Sequence, residues 1–490
     1  VSTVSSDSEV QALFLGEGRP DPAYVREVAH AKRFCERFHG DHRFREAILV
    51  DPQAALRQAG IEGCAEDYRP LFEPVAWQSH LADPGSSPRP VRRVLAFNAE
   101  KASWRNGLRL QSKVAHSGLQ AWRSRQIQRC HGQLPNGNAD FILHSPVSFE
   151  LSLGCSVGCW FCGISAGRLA KVWTYLEHRE EWRGVLQALA PLLGEAGRLG
   201  FCYWGTDPFD NPDYEKFCLD HFEILGAFPH TTTALAHRDL ERTRYLLRLS
   251  QQHGCKLNRF SVLSLSILDQ IHQAFSAEEL LFVDLALQNS QSLGAKTRAG
   301  RVLAKAQLAE RLLAEESAQA DSSPKTLPTS RAATIACVSG FQFNLVERRV
   351  RLISPCPADQ RWPDGFRIHA ELHYQDPLDL QEKLMQLTAP ERLGQPLRSS
   401  DTIRLRSDVR LELSDSGLSL HSPFRSVSLA RDRHPYVAEL AAQIPLSPNL
   451  GQLALHLEQE SAVPLERVFH VIHQLQALGL LEDDPKLVPA

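Results

Sequence analysis

The chain has 490 residues, 43% of them apolar, and a formal net charge of −3; this is a globular composition too long for one core, and two to four structural units are expected. The near-neutral charge offers nothing global to nucleic acid or a membrane surface, no apolar run reaches the ~18 residues of a membrane span, and no basic segment followed by an apolar stretch marks an export signal. Eleven cysteines, an odd number at low density, exclude a disulfide scaffold and point to a reducing cytoplasm, where closely spaced cysteines serve metal or redox chemistry.

The first region, residues 1–80, reads as helical. Phe34, Phe38 and Phe44 make an apolar stripe, Asp51 caps a helix that starts at Pro52, and Gly60 stops it. Residues 81–139 form a basic helical or linker region. Between 88 and 131, ten Lys and Arg accompany one acidic residue, Glu100, with Trp104 and Trp122 interleaved. Two readings stand: a docking surface for an acidic peptide, or a solvated helix face or mobile segment. Polar joints are expected at Asp83 to Pro90, Glu315 to Ser330 and Thr388 to Thr402.

Residues 140–385 alternate strands and helices. Strand-like runs are Phe149–Leu153, Gly200–Trp204, Thr231–Ala236, Phe260–Leu265, Leu281–Leu287 and Ala333–Val338; helix-like runs include Arg179–Leu193 and Asp239–His253. This alternation predicts an α/β unit with a parallel sheet and right-handed crossovers, open or curved into a barrel. In residues 400–490, Val409, Leu411 and Leu413 alternate, Asp415-Ser416-Gly417 turns, and Leu418 and Leu420 return as a hairpin. Helices at Tyr436–Ile444, Leu450–Glu460 and Leu465–Leu478 complete a winged-helix-like pattern. Seven acidic and two basic side chains over 435–490 argue against DNA.

The chemistry-bearing stretch is Leu151-Ser-Leu-Gly-Cys155-Ser-Val-Gly-Cys159-Trp-Phe-Cys162. Three cysteines fall within eight residues, on a glycine-bearing loop after a strand. A cubane iron–sulfur cluster has four irons, so three thiolates leave one iron open. A zinc site competes, but structural zinc takes four protein ligands and no fourth has suitable spacing; buried free thiols are the other alternative. Farther on, Tyr203-Trp204-Gly205-Thr206-Asp207 closes the second expected strand. Gly205 permits close backbone approach, and Thr206 and Asp207 offer acceptors to an ammonium. Asp207-Pro208 equally suits a helix start.

The C-x3-C-x2-C spacing, with aromatic Phe161 before the last cysteine, resembles the radical S-adenosylmethionine superfamily. That resemblance implies a partial (β/α)6 TIM-like barrel over residues 140–385 and a [4Fe–4S] cluster on Cys155, Cys159 and Cys162. It also implies S-adenosylmethionine chelated by the open iron and split reductively into methionine and a 5′-deoxyadenosyl radical. Gly205, Thr206 and Asp207 are expected to hold its amino group, with Phe161 bordering the cofactor. Ser264 or Ser261, and Asn289 or Gln288, are expected to meet its ribose or carboxylate. A flavodoxin- or ferredoxin-like protein is the expected electron donor.

A second constellation runs from Cys337-Val-Ser-Gly-Phe-Gln-Phe-Asn through Ser354-Pro-Cys356-Pro to Trp362-Pro363. With Phe201 to Tyr214 and the N-terminal Phe34-Cys-Glu-Arg-Phe, Asp51-Pro52, Gly60-Ile61 and Arg69-Pro70-Leu71, it is similar to peptide epimerases of the PoyD (proteusin) type. The similarity implies conversion of L- to D-residues in a ribosomally made precursor peptide. A Cα hydrogen is abstracted, and a cysteine thiol returns a hydrogen to the other face. Cys356, between two prolines, is the first candidate donor; Cys337, at the end of the sixth expected strand, is the second. A carbon crosslink, a methylation and a non-catalytic cluster-bearing binding protein are the alternatives. With no C-x2-C pair elsewhere, a second cluster is not expected. The C-terminal module resembles PqqD-type domains, which implies capture of the precursor's leader by β-augmentation; a dimerisation or packing role is the alternative. The N-terminal helices resemble leader peptides of the nitrile-hydratase and nitrogen-fixation-associated kind, which implies that they occupy or regulate the leader-binding site.

Overall fold

The computed structural model describes residues 11–16, 20–82, 87–135, 139–294, 297–308, 333–389, 393 and 396–483. The joint expected at Glu315 to Ser330 lies outside the described residues. Helices α1 (Pro22–Gly40), α2 (His42–Val50) and α3 (Pro52–Gln58) open the chain. Each starts on an aspartate, Asp21, Asp41 or Asp51, whose carboxylate accepts a first-turn N–H. Phe34 centres their core, stacked on Tyr68 with ring centroids 4.9 Å apart and edge-on to Phe44 at 5.5 Å.

The basic region forms α4 (Arg89–Gln111) and α5 (Ser117–Gln133). Several of its cations clamp the fold rather than face a peptide or solvent. Arg93 binds Glu27 at 2.7 Å, Lys101 binds Asp284 at 2.9 Å and Arg129 binds Asp483 at 2.6 Å. Arg123 is buried and donates to the carbonyls of Ser112, Ser339 and His144. Their partners come from distant segments, so the charge run by itself misreads them.

The middle is mixed α/β. Strand β1 (Ser145–Glu150) is followed by α6 (Tyr175–Leu193), α7 (Tyr214–Leu225), β2 (Thr232–Thr233), α8 (Leu240–Gln252), β3 (Asn258–Val262), α9 (Leu265–Ala274) and β4 (Val283–Leu287). β2, β3 and β4 make a parallel sheet in that order. β5 (Val338–Asn344) runs parallel to β1, and β6 (Arg349–Pro355) and β7 (Phe366–His373) continue that sheet antiparallel.

Two features depart from the expected six-stranded barrel. The second strand shrinks to one parallel bridge, Phe201 to Ser148, because the residues after it spend their polar groups sideways. The Tyr203 hydroxyl accepts from Thr232 at 2.8 Å, and Asp207 accepts from the Thr233 hydroxyl and the Ala234 N–H, both at 2.7 Å. These bonds tie the two sheets together. The last parallel strand also joins the first, β5 beside β1, rather than β4, and among the described residues no closed barrel forms. The edge of β4 is covered by α1, where Lys32 Nζ donates to the Leu280 and Val283 carbonyls at 3.0 and 2.7 Å.

Alternation in β1 and β5 sends Val147, Phe149, Phe341 and Phe343 to one core with α6 and α7. There Trp182 meets Phe149 edge-on at 4.9 Å, a pairing that adds about 0.5–1.5 kcal/mol beyond burial. Ser148, Glu150, Gln342 and Asn344 share the opposite face.

After α10 (Pro377–Thr388), the C-terminal module consists of β8 (Arg410–Ser414), β9 (Gly417–Ser422) and β10 (Arg425–Ala430), antiparallel in that order. Helices α11 (Val437–Gln443), α12 (Leu450–Ser461) and α13 (Leu465–Ala477) follow. The hairpin and helices stand where their patterning puts them; β10 is an additional strand. The module has its own core, including Leu418, Leu440, Leu453 and Val471. It seats on α5 through Arg129 and the Phe424 N–H, which donates to the Gly132 carbonyl at 3.1 Å. No helix of the described residues is long and apolar enough to cross a membrane.

Candidate functional site

The cysteine loop leaves the end of β1. Ser152 and Leu153 pair with Val172 and Lys171, which pinches its neck. Gly154 sits at φ +82°, and a Cβ there would stand 2.1 Å from the Arg168 carbonyl oxygen, so the neck demands glycine. Above it, the Cys155 N–H donates to the Gly167 carbonyl at 3.0 Å.

The Ala166 N–H donates to Cys162 Sγ at 3.3 Å, and the main-chain N–H groups of Val157 and Cys159 favour the thiolate forms of Cys155 and Cys159. The thiols are half-buried and sense one another. Burial, with the charges of Asp207, Asp210 and Cys159, pushes Cys155 up to about 12 against the Val157 N–H. Burial and Cys162 push Cys159 up to about 11. Phe161 is half-buried and edge-on to Trp160 at 5.4 Å.

Arg301 grips the loop from a distant segment. Its guanidinium donates to the Cys159 carbonyl at 2.6 Å and to the Ala166 carbonyl, and its N–H donates to the Cys162 carbonyl at 2.9 Å. On the other side stands Glu150, the last residue of β1. Its buried carboxylate accepts from the Gly205 N–H at 2.7 Å and from Asn344 Nδ2 at 2.8 Å. Burial still raises its pKa above the ordinary carboxylate range. A Cβ on Gly205 would lie 2.5 Å from Glu150 Oε1, so the tight approach expected at this glycine is to a side chain of the protein.

Gly205 to Asp210 and the cysteine loop are thus brought together, and the Ser156 N–H donates to Asp210 at 2.9 Å. Asp207, however, turns inward. It takes the bonds from Thr233 and Ala234 described above and caps the turn at 208–210 through the Phe209 N–H at 3.0 Å. Burial pushes it up to about 6. Thr206 is buried, with its hydroxyl directed at the Asp207 carbonyl at 3.4 Å. Ser264 and Asn289 follow β3 and β4, at the strand ends expected. Ser264 caps α9 through the Ile267 N–H at 3.2 Å, and Asn289 donates to the Gly40 carbonyl at 2.8 Å.

The two donor candidates flank β5 and β6, and Cys337 packs in one cluster with Ile164 of the cysteine loop. Cys337 precedes β5 instead of ending a strand, and its carbonyl accepts the Ser145 N–H at 2.8 Å. The strand begins late because Thr334 first bonds the Gly365 carbonyl and the Ala336 N–H. Cys356 follows β6, which runs antiparallel to β5. Both therefore sit at the end of the sheet opposite Glu150. Cys337 is half-buried beside Arg259 and Arg105, and burial pushes its thiol up to about 11. Cys356 is fully buried, with its N–H on the Gly365 carbonyl at 2.9 Å.

Glu150 and Arg301 are the residues that motif reading passes over. A charge in the otherwise apolar run Phe149-Glu150-Leu151 is a usable signal, since a buried carboxylate needs a partner. Arg301 carries none.

Among the described residues, no group of three His, Cys, Asp or Glu side chains is gathered as one metal ion requires. Three neighbouring half-buried thiols, with the Ala166 N–H on Cys162 Sγ, suit a cluster instead, because a cubane binds each thiolate on a different iron and its potential is tuned by hydrogen bonds to sulfur.

No family model matches the chain. The chain is 36% identical over 489 residues to the uncharacterized protein y4wI of Sinorhizobium fredii (strain NBRC 101917 / NGR234), spanning 96% of this chain and 92% of that one. The chain belongs to the y4wI family. Among solved structures, BtrN in complex with AdoMet and 2-DOIA aligns with this y4wI relative over 29% of the chain and 55% of its own length, with 14% identity and a TM-score of 0.23.

Proposed function

We propose that this protein is a radical S-adenosylmethionine enzyme that epimerises residues of a ribosomally made peptide. The observation that carries the first half is the loop after β1, with Cys155, Cys159 and Cys162 half-buried, the Ala166 N–H on Cys162 Sγ, and Arg301 holding the loop. Those three thiolates would hold a [4Fe–4S] cluster. Such a cluster supplies one electron to S-adenosylmethionine, giving a 5′-deoxyadenosyl radical.

The chain's own residues then divide the remaining work. Gly205 to Asp210 stand beside the loop and border the cofactor. A cysteine thiol gives its hydrogen atom to the substrate Cα from the face opposite abstraction, and the sulfur regains one electron and one proton afterwards. The partial exposure of Cys337 and its packing beside Ile164 of the cysteine loop support it as the donor; the two prolines around the buried Cys356 support the other. In the C-terminal module, β8 is the sheet edge not seated on α5, and most of its residues are exposed, which supports strand addition by a leader peptide. A flavodoxin- or ferredoxin-like protein supplies electrons, and the free cysteines accord with a cytoplasmic setting.

Anaerobically purified protein is expected to contain iron and sulfide, and to lose both when Cys155, Cys159 and Cys162 become alanine. With reductant, S-adenosylmethionine and the precursor peptide, the product made in deuterated water should carry one deuterium for each inverted residue. Loss of hydrogens would mark a crosslink, added carbon a methylation, and failure to form deoxyadenosine would end the enzymatic reading. Cys337→Ala and Cys356→Ala separate the donors: the true donor's variant still forms deoxyadenosine but makes no D-residue.

A further inference from the structure

A cavity of about 400 Å³ is lined by no residue of the cysteine loop. Its walls include Leu143, Leu199, His230 and Arg259, which precede or begin β1, the Phe201 bridge, β2 and β3. It therefore opens at the N-terminal ends of the parallel strands, the face that in α/β barrels does not carry the chemistry. Its size is that of a small-molecule site.

The charge around it is unbalanced. Arg105, Arg198, Lys256 and Arg259 line it against one acid, Glu195, which is already held by Arg198 at 3.1 Å. Arg105 spends one nitrogen on the Phe141 carbonyl at 3.0 Å. Arg259 stands beside Asp284 in the β3–β4 register and its charge acts on that carboxylate, which Lys101 already binds at 2.9 Å. Burial, and next the charge of Arg259, lower the proton affinity of Arg105, and burial with both arginines holds His230 neutral. Both guanidinium groups are half-buried at the wall, and an anion placed between them would gain from two partly desolvated cations. Trp104, Leu108 and Phe228 make the rest of the wall apolar.

We propose that this cavity is a second ligand site, for a small organic carboxylate whose anionic group lies between Arg105 and Arg259 and whose apolar body packs on Trp104 and Phe228. A planar guanidinium grips a carboxylate through paired N–H donors, and the apolar wall rewards a hydrocarbon tail. The proposal is independent of the cluster reading.

Full-length protein is titrated calorimetrically with 3-phenylpropionate, 3-phenylpropanol and inorganic phosphate, with iron content recorded for each sample. The carboxylate is expected to bind at one site per chain. The uncharged alcohol and phosphate, each lacking one half of the recognition, should bind about tenfold more weakly or worse. Arg259→Gln and Arg105→Gln, checked as folded by circular dichroism, should each weaken the carboxylate about tenfold and leave the alcohol unchanged. If either variant does not fold, the wild-type comparison stands alone, with added salt expected to weaken the acid and spare the alcohol. Equal binding of acid and alcohol, of acid and phosphate, or undiminished binding by a folded variant overturns the proposal.

Discussion

Arg301 donates to the Cys159 carbonyl at 2.6 Å across 142 residues of sequence. The same side chain reaches Ala166, and its N–H reaches Cys162, so one residue holds three points of a loop that has little regular structure of its own. Arg301→Gln keeps polarity but removes the charge and the fork. It should cost about 1–3 kcal/mol in urea unfolding and lower the iron bound per chain on anaerobic reconstitution. Unchanged iron content together with unchanged stability would show that the clamp is dispensable.

Gly205→Ala puts a methyl 2.5 Å from Glu150 Oε1. The Glu150 carboxylate is itself fixed by Asn344, so it has little room to retreat. A loss of about 1–3 kcal/mol is expected, as for other overpacked interiors. Glu150→Asp, one methylene shorter, should relieve part of it in the double variant, measured as non-additivity in a mutant cycle.

Asp207 makes stability depend on pH in an unusual direction. Burial raises its pKa from 3.8 to about 6, so between those values the folded state binds more protons than the unfolded one. Stability from this group therefore falls as pH rises through that window, by about 2–3 kcal/mol in all. Asp207→Asn abolishes the effect. The wild type minus variant difference in urea midpoint should shift against the wild type from pH 4 to pH 6.5, and a flat difference would refute the assignment.

The C-terminal module depends on Arg129, whose side chain is 3% exposed and bonds Asp483 at 2.6 Å. Arg129→Ala leaves that carboxylate, which is 30% exposed, without this partner. A loss of about 2–3 kcal/mol is expected, below the usual cost of a fully buried pair. Limited proteolysis should then release the module, while its own core, centred on Leu440 and Val471, resists digestion.

Local chemistry was legible before any fold was known. Asp21, Asp41 and Asp51 announce helix starts, and Asp415-Ser416-Gly417 announces a hairpin. Each such signal is complete within a few residues, because caps and turns are closed by neighbours in the chain. The spacing of Cys155, Cys159 and Cys162 puts three thiols on one loop that Arg301 then holds from afar. What only the tertiary structure decided is where the polar groups are spent. Asp207 goes to β2 rather than toward the loop, Asn289 to Gly40, the cations of α4 and α5 to Glu27, Asp284 and Asp483, and β5 to the side of β1. Those pairings join residues tens to hundreds of positions apart, and burial chooses among them: once a carboxylate or guanidinium leaves water it must bond the partner the fold brings near, and no local pattern names that partner.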